Sequence, residues 1–266
     1  MSKIHILNYE RDRLGGGWTA ARYLYAGLGG VSYDDADIVL ITGPTMATHD
    51  QVSQAKKDGK KIVFRVDNAV RNSRNRGTGM TRMKAFCDAA DLVIYQSKWA
   101  LEFLFPYTLK DGVVVLNGVD TDLYNADNRH APDDSFLYVR SSRDEGKQWI
   151  MAWYWFVNNP GTLEIVGKFS HENLEYGFDF YNNERFRFMG QQTNMADIYK
   201  RNKHFLYTYL NEAGSNTLLE ARASGCEIVD VYGMLSTGSA PEYMALEDIS
   251  VERMVGEYSD AISSML

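Results

Sequence analysis

Two glutamates eight positions apart, Glu212 and Glu220, stand in the stretch NEAGSNTLLEARASGCEIV. Gly214 and Ser215 mark a turn, Asn216 to Ala223 a short helix, and Gly225 its terminator. This places Glu212 in a loop at the C-terminal end of a strand and Glu220 about one turn inside the helix. The backbone N–H groups at the helix start, over Gly214, Ser215, Asn216 and Thr217, suit an anion such as a diphosphate. One carboxylate beside a reacting sugar and another holding ribose hydroxyls is a workable division of labour. Two glutamates on an exposed loop and helix are the bland alternative.

Other residue groups invite a reading. Gly15, Gly16 and Gly17 precede a helix, so bare backbone amides there could approach phosphate or sugar oxygens; a structural turn explains them equally well. From Arg65 to Lys84 the chain carries Arg65, Arg71, Arg74, Arg76, Arg82 and Lys84 against Asp67 alone. This basic stretch could meet an anionic acceptor. Within it Asp67 could orient an acceptor hydroxyl or a sugar, and Arg65 could hold phosphate or fix Asp67; a buried Arg–Asp pair holding a loop is an equal reading. None of the five histidines pairs with another His or Cys at metal-ligand spacing, so no structural zinc is expected. No GxSxG is present, which disfavours an α/β-hydrolase. Met80, Met83, Phe86 and Cys87 fall at helical spacing and read as core. The run Trp149, Trp153, Tyr154, Trp155 and Phe156 reads as a helix packed on a sheet.

These residues need a frame to hold them. Short apolar runs rich in β-branched residues fall at 3–9, 37–42, 61–66, 91–97 and 113–118, apolar on both faces like strands buried under helices. Helix candidates lie between them at 18–28, 48–58, 78–90 and 98–105. A polar, acidic segment at 119–135 reads as a connection. The pattern then restarts, with strands at 135–140, 162–168, 186–191, 204–210 and 227–232. Helices are expected near 145–158, 194–202, 215–224, 239–246 and 251–264. Two sets of βα units predict two Rossmann-like domains, which bind ligands at the C-terminal ends of their strands.

Composition agrees with a folded chain. The 266 residues are 45% hydrophobic and 24% charged, which excludes disorder and fibrous repeats. The formal charge of −7 disfavours a general nucleic-acid binder. It is uneven: residues 1–125 hold 16 basic and 14 acidic side chains, and 126–266 hold 12 and 21. No apolar run approaches the roughly 20 residues that span a bilayer. With no signal-peptide pattern and two distant cysteines, Cys87 and Cys226, a cytoplasmic location without disulfides is expected, in a host cytoplasm if the source is viral.

The segment around Glu212 and Glu220 resembles the Glu-x7-Glu motif of retaining GT-B glycosyltransferases, particularly those like family 4. LNGVDTDLY (116–124) is similar to the Asn-Gly-Val-Asp segment that ends that family's first domain. FRVDNAVRN (64–72) and ADLVIYQSKWALEF (90–103) resemble the Arg-x-Asp and Gln-Ser elements of a subset of these transferases. With Gly15–Gly17 they make five features in the family's order.

The resemblance implies an α/β GT-B fold, two Rossmann-like domains facing each other across a cleft. It implies an acceptor-side domain at 1–120 and a nucleotide-sugar domain at 121–266, whose last helix can pack back on the first. It further implies hexosyl or pentosyl transfer from a nucleoside-diphosphate sugar, UDP or GDP, with retention and with neither metal nor cofactor. On this reading Glu212 contacts the donor sugar, with Asp67 the second catalytic candidate, and Glu220 binds the ribose. Arg143 and Lys147, or Arg140 in place of Arg143, clamp the diphosphate with the amides of Gly214 to Thr217. Gly16 and Gly17 face the donor phosphate or the acceptor. The acceptor would be a glycan, a lipid-linked or other hydroxyl compound, or, through Arg65, Arg71, Arg74 and Arg76, nucleic acid bearing modified bases. A nucleotide-sugar-binding protein without turnover is the alternative outside enzymes.

Overall fold

The computed structural model describes residues 2–11, 15–66, 68, 79–140, 149–168, 184–210 and 212–266. The chain forms two compact units: Met1–Gly118 with Ser250–Leu266, and Val119–Ile249.

In the first unit, strands β1 (Ile4–Ile6), β2 (Ile38–Ile41), β3 (Lys61–Val66), β4 (Leu92–Tyr95) and β5 (Val113–Val114) form a parallel sheet in chain order. Around it lie α1 (Gly16–Gly27), α2 (His49–Lys57), α3 (Gly79–Ala89) and α4 (Lys98–Thr108). All four β2 residues are buried, as continuous apolar runs in a covered parallel sheet require. Helix starts follow local chemistry. Thr48 and Gln51 make a capping box, and the Ser97 side chain accepts from the Ala100 N–H. Helix α4 runs past Pro106, where the sequence reading stopped it at 105. The proline falls in the last turn, and the helix closes when the Leu109 N–H, in left-handed conformation, donates to Phe105 O.

The second unit holds β6 (Ser135–Val139), β7 (Thr162–Val166), β8 (Phe186–Gly190), β9 (His204–Tyr207) and β10 (Glu227–Asp230), with α5 (Trp149–Val157), α6 (Met195–Lys200), α7 (Asn216–Ala223) and α8 (Ala240–Ala245). Its sheet is parallel in the order β10-β9-β6-β7-β8. Trp149, Ala152, Trp153 and Phe156 of α5 pack with Tyr138 and Leu163 in one core, whereas Tyr154 of the same run is exposed. Residues 231–236, read partly as strand, form a 3-10 turn kinked at Tyr232 and Gly233, both with positive φ.

The last helix, α9 (Val251–Met265), belongs to the first unit. Met254, Tyr258 and Ile262 recur at helical spacing and are buried among Ile4, Ile6 and Leu24. Gly118 makes this return possible: a Cβ there would lie 2.3 Å from Ser250 O and 2.7 Å from Val251 Cα, both backbone. Gly118→Ala is therefore expected to destabilise the first unit by about 1–3 kcal/mol, the range for overpacking a close contact. Denaturant unfolding measures this, and an unchanged midpoint would contradict the close approach. Cys87 and Cys226 are unbridged and buried, and burial raises their thiols to about 12 and about 11, which removes them as nucleophiles.

Candidate active site

In the second sheet, β6 pairs with both β7 and β9, so chain connections depart in opposite directions on either side of β6. In parallel sheets such a switch point, at the carboxyl ends of the strands, is where ligands bind. Arg140 follows β6 there, and the segment from Thr208 to Thr217 follows β9.

The side chains at this point are tied together. Tyr209 Oη lies 3.0 Å from Val139 O, to which it donates, and 3.0 Å from Thr217 Oγ1. Arg140 Nη2 also reaches Thr217 Oγ1, at 3.4 Å, and its guanidinium sits 5.1 Å from the Tyr209 ring centroid. Ser215 caps α7, accepting from the Leu218 N–H at 3.3 Å. These bonds set the first turn of α7 against the end of β6, with Arg140 beside it. A cation next to a helix N-terminus is an arrangement that stabilises a bound anion.

Glu212 is buried in the loop between β9 and α7. Its backbone is held from Ser236–Ser239, a segment to which the sequence reading gives no role in the site. Ser239 donates to Glu212 O twice, from N at 3.0 Å and from Oγ at 2.7 Å. Thr237 Oγ1 donates to Tyr209 O at 3.1 Å. Between them Gly238, at φ +58, brings its backbone so close that a Cβ would stand 3.1 Å from Glu212 O. The cluster of small residues in STGS was the available signal.

Glu220 lies one turn into α7, partly exposed, and its Oε2 accepts from Tyr199 Oη of α6 at 2.9 Å. Burial raises its carboxyl above the ordinary carboxylate range, while the Tyr199 bond and the Arg140 charge pull it back. Leu218 and Leu219 are fully buried beneath it. Glu212, Gly214, Ser215, Asn216, Thr217, Glu220 and Arg140 thus share one end of one sheet. Arg143 and Lys147 lie outside the described residues.

In the first unit the candidates are placed differently. Gly15 stands before α1 at φ +133, a conformation that requires glycine, and Gly16 and Gly17 open the helix. A Cβ on Gly17 would meet nothing nearer than Met46 Sδ at 3.8 Å. Arg65 points inward. At 1% exposure, it donates from Nη1 to Thr42 O (2.9 Å) and from Nη2 to Asn117 Oδ1 (3.0 Å). Asn117 in turn donates to Gln96 Oε1 (3.0 Å), and Gln96 to Val66 O (3.0 Å). The relay crosses the carboxyl ends of β2, β3 and β4 and the segment after β5. It joins the Arg, Gln and Asn of three motifs in one scaffold. Arg82 donates to Pro44 O at 3.5 Å, and Lys84 pairs with Asp88 at 3.0 Å. Asp67, Arg71, Arg74 and Arg76 lie outside the described residues. Among the described residues, no group of three or more His, Cys, Asp or Glu could hold a metal ion, and no helix is long and apolar enough to cross a membrane.

No family model matches the chain, and no curated protein matches it in sequence. Solved structures do. Anabaena Alr3699/HepE, crystallised with UDP and glucose, superposes with a TM-score of 0.73 at 13% identity, over 99% of this chain and 100% of that one. The chain has the GT-B fold. AviGT4, a glycosyltransferase of avilamycin A biosynthesis, shares this fold at a TM-score of 0.68 and 13% identity, covering 100% of this chain and 98% of that one. S. aureus TarM, solved with UDP, matches at a TM-score of 0.59 and 15% identity over 92% of this chain and 55% of its own. With coverage nearly complete against HepE and AviGT4, the GT-B likeness extends over both units of this chain.

Proposed function

We propose that the chain is a metal-independent glycosyltransferase, resembling family 4, that moves a sugar from a nucleoside-diphosphate sugar to a hydroxyl acceptor with retention of configuration. The observation that carries this reading is the clustering of Glu212, Glu220, Arg140 and the capped start of α7 at the switch point of the second sheet. Glu220 takes the ribose hydroxyls, Arg140 and the α7 amides take the diphosphate, and Glu212 takes the donor sugar. Charge-assisted bonds to the phosphates stabilise the bound donor and the departing nucleoside diphosphate. HepE and TarM hold UDP, and HepE has also been crystallised with UDP-glucose, which makes uridine the first base to test.

The acceptor side rests on Gly16, Gly17 and Asp67 with the basic stretch. Of that stretch, Arg65, Arg82 and Lys84 are engaged by the protein itself, so a nucleic-acid acceptor draws no support from them. The test is calorimetry with UDP, GDP, ADP and their sugars, without added metal. Wild type is expected to bind one of them in the micromolar range, and Glu220→Ala to weaken that binding at least tenfold, as loss of charge-assisted hydrogen bonds implies. Equal affinity in both proteins would remove Glu220 from the donor site.

A further inference from the structure

Glu220 projects from a short helix, and a glutamate side chain there has three rotatable bonds with which to miss a ligand. Something must hold it. Among the described residues, its Oε2 has one hydrogen-bond partner, the hydroxyl of Tyr199, at 2.9 Å. No motif marks Tyr199; it lies 21 residues upstream, in α6. The ring is fully buried, edge-on to Tyr124 at 6.0 Å and tilted against Phe205 at 6.0 Å. Its backbone carbonyl accepts from the Cys226 thiol at 3.4 Å. A side chain fixed on so many sides brings its hydroxyl to one place. That hydroxyl has a single hydrogen to give, and the carboxylate is the nearer acceptor, Thr217 O standing at 3.4 Å.

We propose that Tyr199 is the positioning residue of the nucleotide site, holding Glu220 by Oε2 so that Oε1 is presented to a pair of ribose hydroxyls. The inference rests on the donor-site reading above and adds to it a residue that does not touch the ligand. A carboxylate accepts at two oxygens; with one occupied by a fixed donor, the other has a defined direction. The bond also favours the ionised form, the form that accepts from both ribose hydroxyls.

The groups that act on Glu220 among the described residues are Tyr199 from α6, which donates to it, and Arg140 from the end of β6, whose charge favours its ionised form. Tyr124 and Tyr209 lie behind Tyr199 and raise its own hydroxyl further. Nucleotide binding should therefore fail at acid pH as Glu220 protonates, with a midpoint above the ordinary carboxylate range. Removing the Tyr199 bond should move that midpoint higher still.

Tyr199→Phe keeps the ring and removes the bond. The experiment measures the affinity for UDP across pH 4 to 8 by calorimetry, and the Glu220 carboxyl titration by carbon-13 NMR, in wild type, Tyr199→Phe and Glu220→Gln. Tyr199→Phe is expected to bind UDP about tenfold more weakly at neutral pH, the scale of one hydrogen bond to a charged group. Its acid limb and its Glu220 titration should both move to higher pH. Glu220→Gln should lose the Glu220 part of the acid limb and keep only the part set by the terminal phosphate of UDP, which takes a proton at about pH 6, and this tests the pair from its other side. Wild-type affinity and an unmoved titration in Tyr199→Phe would make Tyr199 a packing residue and overturn the proposal. A titration that moves in a protein binding no nucleotide would overturn the donor-site reading and leave the Tyr199–Glu220 coupling standing.

Discussion

Under the proposed function, Glu212→Gln is expected to lower turnover by a factor on the order of 10² to 10³ while leaving nucleotide affinity nearly unchanged, the size of loss seen when one preorganised electrostatic group is removed. The expectation follows from where the residue sits. As the bond between donor sugar and diphosphate lengthens, positive charge grows on the sugar and negative charge on the leaving phosphate. A carboxylate at the sugar and cations at the phosphate oppose the two, and each interaction is stronger in the transition state than in the bound donor. Glu212 is buried, so its charge acts through little water. Glutamine has the same shape and no charge. The substitution also spares the bonds from Ser239, which end on the backbone oxygen of Glu212. Glu220→Ala should behave in the opposite sense, raising KM for the donor with a smaller change in kcat. Initial rates of UDP release from UDP-glucose, with and without acceptor, separate the two. A Glu212→Gln protein that turns over like wild type would take Glu212 out of the chemistry.

The parts of the site that the sequence displays are those set by short-range rules. Ser215 before a helix and Gly225 after it bracket α7 through capping, and this places Glu212 in the loop and Glu220 on the helix. The strand cores are legible because covered parallel strands are apolar throughout. What the sequence hides are contacts made by tertiary register. Tyr199 meets Glu220 only because α6 and α7 lie side by side. STGS reaches Glu212 only because the 3-10 turn after β10 folds back toward β9. Tyr232 at the kink keeps a left-handed backbone that no residue other than glycine or asparagine would suggest beforehand. The motif residues Arg65, Gln96 and Asn117 stand in three separate segments of the sequence, and only Arg65 carries a ligand role there. The pairing of β3 with β4, and of β4 with β5, sets Asn117 3.0 Å from both Arg65 and Gln96 and so makes one relay of the three.

That relay predicts the largest stability effect in the chain. Asn117→Leu should destabilise the first unit by about 3 kcal/mol, the upper end of the cost of leaving a buried donor unsatisfied, because that donor is charged. Arg65 carries its cation at 1% exposure, and among the described residues its acceptors are the Thr42 carbonyl and the Asn117 amide; Nε has none. Tyr258 of α9 faces the guanidinium, and burial raises its phenol to about 12 even though the Arg65 charge opposes the shift. Loss of Asn117 therefore removes an acceptor from a group that water cannot reach, and takes away one donor to Gln96 Oε1 as well. Arg65→Met should cost less, about 1–3 kcal/mol, because it removes a donor from Thr42 O and Asn117 Oδ1 but takes the buried charge away. The order of these two effects is the test of the argument. If the buried cation dominates, the double variant Arg65→Met with Asn117→Leu is milder than Asn117→Leu alone, and the sites are far from additive. Hydrogen exchange at the β3 and β4 amides reads this for the first unit separately from the second. Additive losses, or an Arg65→Met protein worse than Asn117→Leu, would mean that the guanidinium acts through packing and that its charge is not what the relay serves to hold.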